Sequence, residues 1–167
     1  MPSCLFFQES AMHTLVTEGQ AKRLVEEARI ANQLRLQYPE MIDRFAGEDW
    51  VKTQAACGLY YVRTGDGGLA ATAYALTATT RFAVRRTDAG IIGAIVFEVK
   101  RPASAMHREC LHKALEIQYQ ATPKFRFIAG DVGEFFTVGR EGADIDADTF
   151  ARMVGNHILL ALSREAM

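Results

Sequence analysis

The feature that most constrains the fold is the longest unbroken apolar run, residues 91–97, which follows turn-like residues 87–90. A segment that is apolar on both faces is typical of a strand covered on both sides. We therefore predict a strand over residues 91–100 at the centre of a sheet. The run is far shorter than the ~20 residues of a membrane-spanning helix, so we do not expect a membrane protein.

Shorter segments before this run also have strand character. Residues 59–62, 69–76 and 81–85 are rich in β-compatible side chains, and a glycine-rich turn signal occupies residues 65–68. In the third segment Phe82 and Val84 alternate with arginines, so we predict the apolar pair inside and the arginines outside. Residues 58–100 are predicted to form an antiparallel meander of three or four strands.

The N-terminal part of the chain has helical periodicity. Thr17 and Gln20 match a capping box, which predicts that a helix begins there. One apolar stripe follows at helical spacing: Ala21, Leu24, Val25, Ala28, Ala31 and Leu34. Pro39 is expected to end this helix or to begin a second short one, and residues 48–56 are predicted to add another helical turn or two.

The C-terminal part is predicted to contain two more helices separated by a hairpin. The first is expected to open at Pro102 and Ser104, and its buried stripe is predicted to comprise Cys110, Leu111, Ala114 and Ile117 or Gln118. The hairpin turns at residues 130–133, and Asp144 or Asp146 caps the last helix. Surplus leucines widen the apolar stripe of the last helix, which suggests that another subunit covers it.

The whole chain is predicted to be one α+β domain. It has 167 residues, an ordinary size for a single core, with an N-terminal helical segment over 1–57 and a β-rich body with two helices over 58–167. The predicted order of elements, from the N-terminal segment through the body, is α-β-β-β-α-β-β-α. The strands are expected to form a mainly antiparallel sheet that the helices cover. Three cysteines without CxxC spacing and an N-terminus unlike a secretion signal favour a cytoplasmic protein.

One motif suggests metal chemistry. Glu98 and Lys100 lie two apart on the predicted central strand and therefore on one face, and Asp88 precedes them in the turn. This arrangement resembles the PD-(D/E)xK motif of the restriction-endonuclease-like superfamily. The resemblance implies a Mg²⁺-dependent nuclease with Asp88 and Glu98 as metal ligands, Lys100 as the catalytic lysine and nucleic acid as substrate. The structural alternative is that these charges are the solvated end of a core strand.

A second resemblance is architectural. The strand and turn of residues 58–68, the segment 114–118, the hairpin of residues 131–136 and the closing helix of residues 146–162 resemble the type III secretion chaperones and the related YbjN family. The resemblance implies a non-catalytic, homodimeric domain without cofactor or metal that binds another polypeptide along exposed sheet or helix surface.

We prefer this second hypothesis. A net charge of −1 argues against a protein that holds nucleic acid mainly by electrostatics, although a local basic strip is compatible with it. The predicted partner contacts are the outward Arg81 and Arg85 of the sheet and the surplus leucines Leu159 and Leu162 of the last helix.

Overall fold

The computed structural model describes residues 16–88, 90–101, 110–122, 124–129, 131–139 and 141–167. Three helices are described: α1 (Glu18–Ala46), α2 (Glu48–Ala56) and α3 (Ala147–Ala166). The described strands are β1 (Tyr60–Arg63), β2 (Leu69–Ala73), β3 (Leu76–Thr87), β4 (Gly90–Arg101), β5 (Cys110–Tyr119), β6 (Lys124–Ala129), β7 (Asp131–Val132) and β8 (Phe136–Thr137).

All of these strands belong to one sheet. Neighbours run in chain order from β1 to β7, each pair is antiparallel, and β8 pairs with the other end of β6. β4 lies at the middle of this path and pairs along nearly its whole length with β3 and β5. The α+β class, the antiparallel meander and the central position of residues 91–100 are therefore confirmed.

The predicted order of elements is wrong at one point. The helix expected to open at Pro102 falls partly in residues 102–109, outside the described residues, and Cys110–Tyr119 forms strand β5. Leu115, Ile117 and Tyr119 are buried on one side, while Glu116 and Gln118 lie between them on the other. This period of two is the pattern of a strand. The apolar residues Cys110, Leu111, Ala114 and Ile117 also fit helical spacing, and this obscured the strand pattern.

Helix α1 begins as predicted but continues past its proline. Thr17 and Gln20 exchange both capping-box hydrogen bonds, and the helix runs through Pro39 to Ala46. Buried residues lie on both sides of the proline, among them Leu34 and Phe45, so packing on the sheet outweighs the lost backbone bond. The expectation that Pro39 ends the helix or starts a new one is therefore wrong.

The predicted apolar stripe of α1 is only half buried. Leu34 is fully buried, but Leu24 and Val25, two turns or more before it, are 52% and 70% exposed. The second half of α1 packs against β4 and α3, whereas its first half contacts little of the sheet. Periodicity located the helix correctly. It did not predict which part of the apolar stripe is buried, because that depends on how far the sheet extends beneath the helix.

The main core lies between the sheet and the helices. Phe150 of α3 is fully buried and its ring contacts Phe45, Phe125, Phe127 and Phe136. The cap of α3 is Asp146, whose carboxylate accepts the Thr149 N–H at 2.7 Å. Among the described helices, none has both the length and the apolar character needed to cross a membrane.

Polar anchors fix the sheet to α1. The Tyr38 hydroxyl bonds to Thr80 Oγ1 at 2.6 Å, and the Tyr119 hydroxyl donates to the Leu34 carbonyl at 2.7 Å. Gly93 lies beneath the Tyr119 ring, where a Cβ atom would approach the ring carbons to 2.5 Å. A glycine at this position of β4 therefore lets the tyrosine reach the helix.

Strand β3 follows the predicted alternation with one exception. Phe82 packs against Tyr38, with ring centroids 5.8 Å apart, and Arg81 and Arg85 lie on the opposite face. Val84 shares the face of Phe82 but is 40% exposed, so the prediction that it is interior is wrong. Beyond Val84 on this face, Arg86 forms an ion pair with Glu27 of α1.

Candidate partner-binding surfaces

The sheet has a second face, which we call the outer face, on the side away from the helices. Along β3 and β4 it carries Ala83, Ala94 and Val96, which form a small buried cluster separate from the main core. None of the described helices packs on this face. Long charged and polar side chains from neighbouring strands surround the cluster.

The most buried of these charged groups is Glu116 of β5. Its side chain is 3% exposed, and both of its carboxylate oxygens accept hydrogen bonds from Arg85, at 3.0 and 2.9 Å. Gln118 donates to the same carboxylate at 2.8 Å, and Lys113 Nζ lies 3.5 Å away. A fork of two parallel bonds from a guanidinium is the strongest common way to hold a carboxylate.

These contacts set the ionisation of Glu116. Burial by itself would raise its pKa, but the hydrogen bonds from Arg85 and Gln118, together with the charges of Arg85 and Lys113, lower the pKa to about 2. The carboxylate therefore stays charged at neutral pH. It serves as the anchor of a side-chain network that spans β3 to β6.

The network continues across β6. Arg126 Nε donates to the Gln118 side-chain oxygen at 2.7 Å, and its guanidinium lies over the Phe135 ring at 4.5 Å. At the other end of the face Arg81 donates to Glu98 at 2.8 Å, with the Arg81 side chain half exposed. Each guanidinium is thus oriented by a partner while part of its surface faces solvent.

Cations outnumber carboxylates on the outer face. Strand alternation and the contacts above place these basic residues there: Arg81, Arg85, Lys100, Lys113, Lys124 and Arg126. Among the described strand residues of β3 to β6, the carboxylates on that side are Glu98 and Glu116. A chain with a net charge of −1 therefore concentrates positive charge on one surface.

Apolar side chains border this basic region. Tyr60 and Val62 of β1 are 57% and 65% exposed on the outer face, and Leu111 of β5 is 62% exposed. Exposed apolar side chains next to polar ones are common where proteins bind other proteins.

The structure separates the four predicted partner contacts into two groups. Arg81 and Arg85 lie on the outer face, where Arg81 is the more exposed of the two. Leu162 is completely buried in the core and Leu159 is partly buried against it, so the surplus leucines of α3 are core residues rather than a free surface. Leu160, which also widens the stripe but is not among the predicted partner contacts, is 50% exposed instead.

The three residues of the predicted metal site do not converge. Asp88 lies in the turn before β4, while Glu98 and Lys100 lie near its far end. The eight residue steps from Gly90 to Glu98 span roughly 26 Å of extended strand. Asp88 and Glu98 therefore cannot bind one ion together, and the Glu98 carboxylate is bonded to Arg81.

Sequence reasoning missed Glu116 and Gln118 because it placed them on a helix. Both lie in the alternation Leu115 to Tyr119, which a count of period-two matches would have detected. Among the described residues, no group of three or more histidine, cysteine or acidic side chains is arranged to hold a metal.

Comparisons of the chain with models of protein families, with curated proteins and with solved structures find no match.

Proposed function

We propose that this protein is a cytoplasmic, non-catalytic module that binds an acidic polypeptide segment on the outer face of its sheet, and that it does so as a homodimer. The single observation that carries the proposal is the excess of cations on that face, bordered by exposed Tyr60 and Val62. This is the class of function that the resemblance to secretion chaperones implies, although the segment likened to their middle helix is strand β5.

The arrangement of the basic groups favours a polypeptide ligand. Arg85 and Arg126 are held by Glu116 and Gln118, so their positions are set before a ligand arrives. Basic side chains on successive strands offer several separate charge contacts, and the bordering tyrosine and valine offer apolar contact. An acidic segment with interspersed apolar residues matches both kinds of contact.

The test is fluorescence anisotropy with a labelled peptide of alternating glutamate and valine. We expect saturable binding that weakens as salt is added, because exposed charge contacts are screened. The double variant with Arg81→Gln and Lys124→Gln should bind the peptide at least about tenfold more weakly, a loss equivalent to about 1.4 kcal/mol.

The matched control removes the same number of cations elsewhere. Lys22→Gln with Arg29→Gln neutralises two exposed residues of α1 and should leave peptide affinity unchanged. An equal loss in both double variants would refute the outer face as the binding site. A single-stranded oligonucleotide of equal charge is measured in parallel, because tighter binding of the oligonucleotide, or its cleavage with Mg²⁺, would replace this proposal with a nucleic-acid function.

A further inference from the structure

The strand at the end of the described sheet has one side without a partner strand. Within the described part of the chain, β1 pairs with β2 alone, in the register Tyr60 with Thr72 through Arg63 with Leu69. An edge of this kind presents backbone donors and acceptors that another strand can pair with.

The hydrogen-bond pattern shows which backbone groups face outward. Thr64 donates to the Gly68 carbonyl next to the turn, so Thr64 and Gly68 form a hydrogen-bonded pair. Because such pairs alternate along an antiparallel ladder, Val62 and Tyr60 also bond to β2. The backbone groups of Tyr61 and Arg63 therefore point away from β2.

Although β1 has only four residues and the Leu59 N–H before it is bonded to the Gln54 carbonyl, this strand lacks several other devices that protect an edge. Its sequence contains no proline and no lysine, and its pairing with β2 has no bulge. The only charged side chain, Arg63, is folded back into an ion pair with Asp43 and a hydrogen bond to the Gly67 carbonyl at 3.2 Å. What remains at the surface is the apolar pair Tyr60 and Val62.

This apolar pair makes the strand complementary to itself. If two copies of β1 pair antiparallel with the two-fold axis at Tyr61, the outward backbone groups of Tyr61 meet those of its mate. The same register sets each Tyr60 opposite Val62 of the other copy on the outer face, and pairs of an aromatic and a β-branched residue are favourable there.

We propose that β1 is the homodimer interface, in which two copies of this chain join their sheets antiparallel about Tyr61. The inference rests on the homodimer part of the proposed function and adds the interface and the register. The joined sheet carries the basic outer faces of both copies on one continuous surface. A two-fold contact of this type is closed, so it gives a dimer and not a fibre.

The first test is sedimentation equilibrium of the full chain over a range of concentrations. The wild-type chain is expected to dimerise, and Val62→Lys should raise the dimer dissociation constant at least about tenfold, because the lysine must be desolvated against Tyr60. Val25→Lys is the matched control, since Val25 is exposed to a similar degree on α1, and it should leave the dissociation constant unchanged.

The second test fixes the register by cysteine cross-linking, with Cys4, Cys57 and Cys110 replaced by serine. Tyr60→Cys chains mixed with Val62→Cys chains should form a disulfide under mild oxidation, because opposed residues that are not hydrogen-bonded lie about 4.5 Å apart at Cα. Tyr60→Cys mixed with Val25→Cys should not.

A monomeric wild-type chain would overturn the interface, and so would a dimer that survives Val62→Lys or lacks the cross-link. These failures are distinct from failure of peptide binding. A monomer that still binds the acidic peptide would refute the β1 dimer alone. A β1 dimer that does not bind the peptide would refute the binding function alone.

Discussion

The two faces of the sheet bury their centres to a similar degree by different means. The inner face is covered by α1 and α3 and is filled by aromatic and aliphatic side chains, of which Phe97 and Phe125 are nearly inaccessible. The outer face buries Ile92, Ala94 and Val96 just as completely, yet it also buries the polar side chains of Glu116 and Gln118. Burial alone therefore does not reveal which kind of interaction holds a region together.

The difference has a consequence for stability. The inner face is stabilised by removing apolar surface from water, which does not depend on pH. The outer face is stabilised by a carboxylate that must be charged to accept its hydrogen bonds. The two faces should thus respond differently to truncation and to acid.

The largest effect is expected on the inner face. Phe150→Ala should lower the free energy of unfolding by about 3–5 kcal/mol, because a fully buried ring at the centre of the aromatic cluster is replaced by a cavity. Urea unfolding followed by circular dichroism measures the change. Phe135→Ala, which truncates a half-buried ring beside Arg126, is the control and should cost much less. Equal losses of unfolding free energy in Phe150→Ala and Phe135→Ala would contradict the expectation that apolar packing stabilises the inner face more than the outer face.

A smaller loss is expected from the buried carboxylate of the outer face. Its pKa is about 2 in the folded chain against 4.5 for an ordinary glutamate, so folding favours the charged form. This contribution is complete above pH 4.5 and disappears as the pH falls through 4.5 towards 2. Glu116→Gln should therefore cost at most about 3 kcal/mol at pH 7.

The measurement is urea unfolding of the wild type and of Glu116→Gln at neutral pH and at successively lower pH. The wild type should lose its advantage over the variant as the pH falls through that window. A constant difference between the two proteins at every pH would contradict a lowered pKa for Glu116.

The smallest effect is expected at the exposed end of the same face. Glu98→Gln removes a similar ion pair, but Arg81 is 50% exposed, so solvent screens the interaction. The loss should be below about 1 kcal/mol. Urea unfolding at low and high salt checks this, and high salt should reduce the loss further. A loss as large as that of Glu116→Gln would show that exposure does not separate the two ion pairs.

Local signals located the glycine-rich turn of residues 65–68 but missed a turn without glycine. The other two predicted turns, 87–90 and 130–133, include residues 89 and 130, which lie outside the described residues. Residues 65–68 form the turn before β2 as predicted, whereas residues 69–76, for which the sequence predicts one segment of strand character, span β2, a turn and the first residue of β3. The chain instead turns at Tyr74 and Ala75, with φ of 53° and 59°. Two successive left-handed residues are usual for a tight hairpin, and glycine or asparagine usually occupies these positions. Because tyrosine and alanine stand there instead, the residue types do not predict a turn.

The candidate site was predicted in part. The outward direction of Arg81 and Arg85 followed from alternation along β3 and is observed. The carboxylate partner of Arg85 did not follow, since Glu116 is 31 residues from Arg85 and lies two strands away. The separation of Asp88 from Glu98 likewise depends on β4 being fully extended between them.

By itself, the sequence determined what depends on neighbours along the chain: the cap of α1 at Thr17, the choice of Asp144 or Asp146 for the cap of α3, the glycine-rich turn of residues 65–68 and the apolar centre of β4. Only the tertiary structure decided that α1 continues through Pro39, that residues 110–119 form a strand and that Leu162 is buried. The physical reason is that these outcomes depend on burial against residues distant in the chain. The free energy of that packing exceeds the local preferences that a sequence pattern records.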